Sequence, residues 1–171
     1  MILIRDAKPD DAPVIAQVYG HYVETTTFTF EEVVPSAKEM AARMDKIIVA
    51  GLPYLAAEKD GVLIGYAYAS PFHNRSAYRF TVENSVYVAS DEAGQGVGTA
   101  LMRRLIETCA SRGFAQMIAR IGDKQNIASV RLHKGLGFRP VGELPAVGLK
   151  FGRWVDLVIM QLALGPGGDP G

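Results

Sequence analysis

The feature that most constrains the fold is a glycine-rich turn between a predicted β-strand and a predicted α-helix. The strand, Ser-Val-Tyr-Val at 85–88, carries the β-branched and aromatic side chains that suit a pleated surface. The helix, over 99–112, has apolar residues at helical spacing. Between them, Gly94, Gly96 and Gly98 can adopt positive φ angles, which lets backbone N–H groups converge on an anion at the start of the helix. The turn therefore predicts either an anion site or merely a tight connection.

Composition limits the kind of protein in which this unit occurs. A chain of 171 residues is long enough for one domain, so residues 1–164 are predicted to form a single domain and residues 165–171 a disordered tail. Lysine plus arginine equals aspartate plus glutamate at 18 each, which provides no overall field to attract nucleic acid or an anionic membrane. An anionic ligand must therefore be bound by local geometry.

The cysteine content and the apolar segments bear on the compartment. Cys109 is the only cysteine, so it cannot form an internal disulfide and suits a reducing compartment as a buried, small apolar residue. The chain start becomes charged at Arg5, and no apolar run approaches the roughly 20 residues that span a bilayer. We therefore expect a cytoplasmic protein without a membrane segment.

The remaining patterns predict a mixed α/β architecture. The 115–121 segment is predicted to be a buried strand that lies parallel to the one before the glycine turn, because a helix connects the two. The 25–30 segment is β-branched and aromatic, which favours an extended loop that could line a pocket. The other predicted elements are strands at 2–5, 54–58, 62–70 and 81–88 with further strands from 138 to 162, and helices up to about 24, from Ser36 to 47, and over 126–136.

Two motifs resemble those of the GNAT superfamily of N-acetyltransferases. Residues 93–98, Ala-Gly-Gln-Gly-Val-Gly, resemble the loop that holds the pyrophosphate of acetyl-CoA, written (Arg/Gln)-x-x-Gly-x-(Gly/Ala). Residues 126–138 resemble the Asn-x-x-Ala helix that ends in Gly-Phe. The resemblance implies the GNAT fold, a mostly antiparallel sheet with a central parallel β-α-β cofactor unit and flanking helices, and acetyl-CoA as cosubstrate without a metal. Ala93 stands where the superfamily has Arg or Gln, so affinity is expected to come from backbone N–H groups.

A narrower resemblance covers nearly the whole chain. Four segments, 21–30, 71–78, 81–88 and 150–156, are similar to phosphinothricin and methionine sulfoximine N-acetyltransferases. It implies acetylation of the α-amine of a small amino-acid analogue such as phosphinothricin, methionine sulfoximine or methionine sulfone, and a homodimer. Two other functions stay open: another amine acceptor (a protein N-terminus, a polyamine or an aminoglycoside), or a non-catalytic acetyl-CoA sensor.

The chemistry of acetyl transfer assigns predicted roles. A protonated amine cannot attack a thioester, so Glu83 is predicted to be the general base. His133 is predicted to protonate the leaving thiolate or simply to pack, and the backbone N–H of Val88 to polarise the thioester oxygen. Cys109 lies within a predicted helix away from these residues, so direct transfer is expected without an acetyl-enzyme.

Binding residues follow from the same reasoning and resemblance. Arg75 is predicted to bind the acceptor carboxylate, because a guanidinium forms bidentate pairs; a surface arginine is the alternative. The predicted acceptor pocket comprises Phe30, Arg75, Tyr78, Glu83, Asn84 and Ser85. The predicted acetyl-CoA site comprises Val86, Tyr87, Val88, Gly94, Gln95, Gly96, Val97, Gly98, Thr99, Asn126 and Ser129.

Overall fold

The computed structural model describes residues 1–165, so all of the predicted tail beyond Gly165 lies outside the described residues. The strands are β1 (Ile2–Asp6), β2 (Tyr54–Lys59), β3 (Val62–Pro71), β4 (Thr81–Val88), β5 (Gln116–Gly122), β6 (Arg139–Lys150) and β7 (Arg153–Ala163). The helices are α1 (Ala12–Thr25), α2 (Ala37–Val49), α3 (Val97–Ser111) and α4 (Ile127–Gly135). Residues 26–36 between α1 and α2 form neither helix nor strand, in agreement with the predicted loop, although Thr25 still belongs to α1 and residues 27–29 bend.

One seven-stranded sheet runs through the described chain in the order β1-β2-β3-β4-β5-β7-β6. All neighbours are antiparallel except β4 and β5, which are parallel because α3 connects them. The strands predicted at 54–58 and 62–70 form a hairpin, β2 and β3, whose turn places Asp60 and Gly61 at φ angles of 52° and 80°. The predicted fold class is therefore confirmed.

The parallel strands β4 and β5 pair over a short length only. Thr81 to Glu83 lie opposite Gln116 to Ile118, and beyond Glu83 the two strands have no further ladder partners in common. β3 continues to accompany β4 as far as Val88. The sheet therefore divides at its centre and exposes the backbone edge of β4 to the space between the strands.

Two apolar cores cover the faces of the sheet. On one face α3 buries Leu101, Met102 and Leu105 against the strands. On the other face α1 and α2 pack on a group of tyrosines, including Tyr54 and Tyr66. Both helical layers hold the divided centre of the sheet in place from opposite sides.

Helix α3 begins earlier than its sequence pattern predicts, which corrects the interpretation of one glycine. Gly94 and Gly96 have φ angles of 77° and 83°, but Gly98 lies inside the helix. A Cβ atom on Gly98 would lie 3.4 Å from Leu132 of α4. Gly98 thus serves close helix packing and not the turn itself.

Candidate active site

A cavity of about 900 Å³ opens where β4 and β5 separate. The glycine turn, the start of α3, one side of α4 and the loop after α1 surround it. The predicted site residues that line it are Phe30, Glu83, Asn84, Ser85, Val86, Tyr87, Val88, Gly94, Gly96, Val97, Gly98, Thr99, Asn126, Ser129 and His133. The structure therefore brings most of the predicted cosubstrate and acceptor residues to one space.

Three predicted residues lie outside this cavity lining. Gln95 accepts a hydrogen bond from Lys59 at 3.4 Å. Arg75 and Tyr78 lie at the exposed turn between β3 and β4, where the Tyr78 ring meets Phe72 edge-on at 5.5 Å. Phe72, at the start of this turn, lies with its ring centroid 5.9 Å from the guanidinium carbon of cavity-lining Arg120, so the carboxylate contact of Arg75 stays a prediction.

The start of α3 has the geometry of an anion site. Gly96 is the N-cap in the left-handed conformation and offers no side-chain cap, so the first N–H groups of α3 have no partner within the helix. A Cβ atom on Gly94 or Gly96 would meet nothing within 4 Å, which leaves room for a phosphate group against the backbone. Ala93 contributes no polar side chain here. This cradle fits the pyrophosphate of acetyl-CoA through backbone donors.

The edge of β4 offers further backbone groups. Ala89 donates its N–H to the Ile64 carbonyl of β3 at 2.8 Å. Because the backbone N–H groups of successive strand residues point to opposite edges, the Val88 N–H points away from β3 and toward the cavity. The Tyr22 hydroxyl donates to the Val88 carbonyl at 2.6 Å. The Val88 N–H is thus left on the cavity side, as its predicted role requires.

Glu83 lies in the cavity beside an arginine that the sequence reasoning missed. The Nε atom of Arg120 donates to Oε2 of Glu83 at 2.9 Å, and Nη2 of Arg120 contacts the same oxygen. These hydrogen bonds raise the pKa of Arg120 above its ordinary value. The only available signal was that a single charged residue interrupts the buried 115–121 strand.

His133 lies beneath the cavity and is only 2% exposed. Its Nδ1 atom lies 2.8 Å from the Ser129 carbonyl, and its Nε2 lies 3.1 Å from Oδ1 of Asn84. Burial lowers the pKa of His133, although the hydrogen bond to Ser129 opposes this effect. Asn84 directs its Nδ2 at the Ile118 carbonyl, so its Oδ1 faces Nε2 and accepts a hydrogen bond from the tautomer that is protonated there.

Asn84 and Asn126 have structural partners in addition to their places in the cavity lining. Asn84 is buried and donates to the Ile118 carbonyl at 3.4 Å, across the point where β4 and β5 separate. Asn126 caps α4, since its Oδ1 accepts from the Ser129 N–H at 3.3 Å. Both amides therefore hold cavity walls together.

The loop after α1 is fastened to the sheet by residues that local sequence patterns do not reveal. The Thr27 hydroxyl donates to buried Asp123 at 2.6 Å, and Arg153 donates to the same carboxylate oxygen at 2.7 Å. Lys150 is buried and donates to the Thr29 carbonyl at 2.9 Å. Lys150 and Arg153 belong to the 150–156 segment of the sequence resemblance, which was the one signal for this contact.

Phe30 extends from this loop onto two glycines of the sheet. A Cβ atom on Gly148 would lie 2.7 Å from Cε2 of Phe30, and one on Gly122 would lie 3.2 Å from its Cε1. Larger residues at either position would therefore displace the ring. Gly122 and Gly148 determine where this aromatic wall lies.

Cys109 faces the core from α3. It is fully buried, and burial raises the pKa of its thiol to about 12. A thiol in this state is not a nucleophile at neutral pH, in agreement with the expected direct transfer.

No three His, Cys, Asp or Glu side chains within residues 1–165 are grouped so that they could hold a metal ion. None of the helices in the same range has the length and apolarity of a membrane span.

Residues 15–138 match the Acetyltransferase (GNAT) family. The chain belongs to this family, and acetyl-CoA is its cosubstrate. The predicted superfamily is therefore confirmed by a match that spans most of the chain.

Individual relatives agree with the narrower resemblance. The chain is 52% identical to a phosphinothricin N-acetyltransferase of Alcaligenes faecalis, over 96% of this chain and 83% of that protein. It is 38% identical to an L-methionine sulfoximine/L-methionine sulfone acetyltransferase of Salmonella typhimurium, over 94% of each. Its fold matches, with a TM-score of 0.93 and 42% identity, a crystal structure of a phosphinothricin acetyltransferase from Sinorhizobium meliloti in complex with acetyl-CoA, covering 99% of this chain and 93% of that one.

Proposed function

We propose that this protein transfers the acetyl group of acetyl-CoA directly to the α-amine of a small amino-acid analogue, namely phosphinothricin, methionine sulfoximine or methionine sulfone. The observation that carries this proposal is that the Glu83 carboxylate, the free edge of β4 and the N-terminus of α3 share one cavity. The relatives named above supply the acceptor class. Residues 1–164 act in this proposal as one catalytic domain.

Different groups in the cavity bind acetyl-CoA, polarise its thioester and accept the proton of the acceptor. The first N–H groups of α3 bind the pyrophosphate, and the backbone edge at Val86 and Val88 aligns the pantetheine arm. The Val88 N–H donates to the thioester oxygen as negative charge develops there. Glu83 accepts a proton from the acceptor ammonium, and the amine nitrogen then bonds to the acetyl carbon. The carbon–sulfur bond breaks to release CoA thiolate, and the second proton of the nitrogen passes to solvent.

His133 receives a different role from the predicted proton donor. Both ring nitrogens have partners, and the one on the Asn84 side does not face open cavity. We assign His133 the task of orienting Asn84 at the point where β4 and β5 separate. The thiolate of CoA, with a pKa near that of cysteine at about 8.5, gains only a modest advantage from a proton donor at neutral pH.

Thiol release tests the proposed function. The protein is mixed with acetyl-CoA and a panel that contains methionine sulfoximine, a polyamine, an aminoglycoside and a peptide with a free N-terminus. Release with methionine sulfoximine alone is the expected result. Thiol release with another member of the panel would show that the acceptor belongs to a different class from the one proposed. No thiol release with any amine would indicate a cofactor-binding sensor.

The base assignment is tested with Glu83→Gln. The variant should lower turnover by about 10²- to 10⁴-fold, the range for a general base, and leave acetyl-CoA affinity nearly unchanged. Glu107→Gln, on the exposed face of α3, is the matched control because it removes the same charge outside the cavity. Wild-type turnover of Glu83→Gln at neutral pH would contradict the assignment.

We further propose a cytoplasmic homodimer that binds neither nucleic acid nor membrane. β6 is an edge strand of the sheet, and large apolar side chains are exposed on it, on the turn to β7 and at the start of β7, where a second copy would cover them. These are Val141, Leu144, Val147, Leu149, Phe151 and Trp154. Sedimentation should give twice the chain mass for the wild type and the chain mass for Leu144→Glu; a monomeric wild type would contradict the proposal.

A further inference from the structure

The carbonyl group of Val88 is held by a side chain from a distant helix. Tyr22 lies on the last turn of α1, and its hydroxyl donates to the Val88 carbonyl oxygen at 2.6 Å, although the two residues are 66 positions apart. The Tyr22 side chain lines the cavity. Burial raises the pKa of Tyr22, although the hydrogen bond to Val88 opposes this effect. The hydroxyl therefore keeps its proton at neutral pH and can donate it to the carbonyl.

The register of the sheet places both polar backbone groups of Val88 on the cavity side of β4. Gly65 of β3 lies opposite Val88, and the next pair along the ladder is joined by the hydrogen bond from Ala89 to the Ile64 carbonyl. Hydrogen-bonded and non-hydrogen-bonded pairs alternate in an antiparallel ladder, so the N–H and the C=O of Val88 both point away from β3. Both groups therefore face the cavity, beyond Glu83, where the pairing of β4 with β5 ends.

The two peptide units that meet at Val88 are fixed on different sides. The unit that carries the Val88 N–H has the Tyr87 carbonyl at its other edge, where a Cβ atom on Gly65 of β3 would lie only 3.0 Å from the carbonyl oxygen. The next unit is bonded at both edges, through the Ala89 N–H to β3 and through the Val88 carbonyl to Tyr22. Because each peptide unit is planar, these contacts fix the direction of the Val88 N–H, and Tyr22 supplies the contact on the cavity side.

The Tyr22 hydroxyl is itself held in place by the surrounding structure. The Tyr22 ring meets the Tyr87 ring edge-on, with the centroids 5.2 Å apart. The Tyr22 carbonyl accepts hydrogen bonds from both the N–H and the hydroxyl of Thr26, at 3.1 and 2.7 Å. The hydroxyl therefore occupies its position without any substrate, which is the condition for a polar group to assist a reaction without having to reorganise.

The Val88 carbonyl also affects the charge that develops during transfer. Its oxygen carries partial negative charge and lies on the same edge of β4 as the Val88 N–H, so it opposes negative charge on the thioester oxygen. A hydroxyl that donates to this carbonyl offsets part of the opposing charge, and hydrogen bonds in a chain polarise one another. The bond from Tyr22 therefore favours the charged thioester oxygen as well as the orientation of its donor.

We propose that Tyr22 is a positioning residue for acetyl transfer, whose hydroxyl holds the Val88 carbonyl so that the Val88 N–H points at the thioester oxygen. This inference rests on the proposed function, because the Val88 N–H is the group that Tyr22 positions. The Tyr22 hydroxyl exchanges no proton with either substrate. Its effect is on the step in which charge develops on the thioester oxygen and not on the binding of CoA.

The kinetic test uses Tyr22→Phe, which removes the hydroxyl and keeps the ring contact with Tyr87. With methionine sulfone as acceptor, kcat should fall about 3- to 10-fold, the effect of one hydrogen bond. This loss is smaller than the roughly 10²- to 10³-fold loss expected when the oxyanion donor itself is removed. The affinity for CoA, measured by calorimetry, should be unchanged, because CoA lacks the acetyl oxygen.

Tyr54→Phe is the matched control. It removes a hydroxyl from the same tyrosine group, but Tyr54 lies on β2 and outside the cavity lining. Its kcat and its affinity for CoA should equal those of the wild type.

An infrared measurement distinguishes positioning from other roles of the hydroxyl. Acetyl-CoA that carries a heavy carbon isotope at the acetyl carbonyl gives a resolved thioester band, which moves to lower frequency when the oxygen accepts a hydrogen bond. The band of bound acetyl-CoA should lie below that of free acetyl-CoA in the wild type and in Tyr54→Phe, and closer to the free position in Tyr22→Phe. This measurement needs no acceptor, so it does not depend on the proposed acceptor class.

Three results would overturn the inference while leaving the proposed function intact. A wild-type kcat for Tyr22→Phe would mean that the hydroxyl does not assist transfer. A lower kcat with the thioester band at its wild-type position would mean that the hydroxyl acts on another group, such as the leaving thiolate. An equal loss of kcat in Tyr54→Phe would mean that the tyrosine group acts only through the packing of the fold. In contrast, a wild-type protein that releases no thiol with any amine would overturn the proposed function, and the inference with it.

Discussion

Replacing Gly122 by alanine is expected to push the loop after α1 away from the sheet. An added Cβ atom would lie 2.7 Å from the backbone oxygen of Phe28 and 3.1 Å from its carbonyl carbon. The first distance is roughly 0.8 Å below the optimum of about 3.5 Å for nonbonded heavy atoms. A backbone atom cannot rotate away, so the loop itself has to move.

The loop resists this movement because it is fastened on both sides of Phe28. Thr27 is hydrogen-bonded to Asp123, and Lys150 holds the Thr29 carbonyl. Overpacking at such a site costs about 1–3 kcal/mol. For a chain of this size, a loss of about 2 kcal/mol lowers Tm by about 4–8 °C. Phe30 moves with the loop, so the KM for the acceptor should rise more than the KM for acetyl-CoA.

Thermal unfolding and steady-state kinetics measure both effects. Gly142→Ala is the matched control, because Gly142 also lies on a strand, has no positive φ, and offers open space to a Cβ atom. Its Tm should change by less than about 2 °C, since exposed substitutions stay within about 0.5 kcal/mol. A wild-type Tm and acceptor KM for Gly122→Ala, or an equal loss for Gly142→Ala, would refute the reasoning.

Three further measurements address other parts of the structure. Cys109 should not react with a thiol reagent in the folded protein, and one thiol should appear on unfolding; rapid reaction of the folded protein would contradict its burial. Ser36→Ala removes the N-cap bond to the Glu39 N–H and should cost about 1 kcal/mol by chemical denaturation. Burial by itself raises the pKa of Asp123, but hydrogen bonds from Thr27 and other donors outweigh burial, so the pKa is lowered. The ionised carboxylate therefore stabilises the fold above about pH 4, and this stabilisation is lost as the pH falls further. Asp123→Asn should therefore be less stable at pH 7 and show a weaker loss of stability in acid; an unaltered acid dependence would contradict this.

Elements with local causes were predictable from the sequence. The β2–β3 hairpin follows from the Asp60-Gly61 turn, whose residues both take positive φ angles. The cap of α2 follows from Ser36, whose side chain bonds a donor three residues later. The order of strand, glycine turn and helix start along residues 85–98 follows from the conformational preferences of those residues within a short stretch of chain. In each case the interacting groups are close in sequence.

Contacts between distant segments were not predictable in this way. Arg120 and Glu83 are 37 residues apart, and Lys150 and Thr29 are 121 residues apart. Neither pair has a local signature, because a lone arginine in a strand or a lysine near a chain bend has many possible partners. Arg75 lies outside the cavity lining, and no local pattern reveals how the β3–β4 turn packs against the rest of the sheet.

The sequence by itself determined the strand, the glycine turn and the helix that form the anion cradle, and through its motifs the family. Backbone sterics and side-chain periodicity act over a few residues and need no other part of the chain. Only the tertiary structure decided that β4 and β5 separate after Glu83, that Arg120 lies beside this carboxylate, and that Gly122 and Gly148 receive Phe30. These features depend on the register of a seven-stranded sheet, which is set by the packing of both helical layers at once.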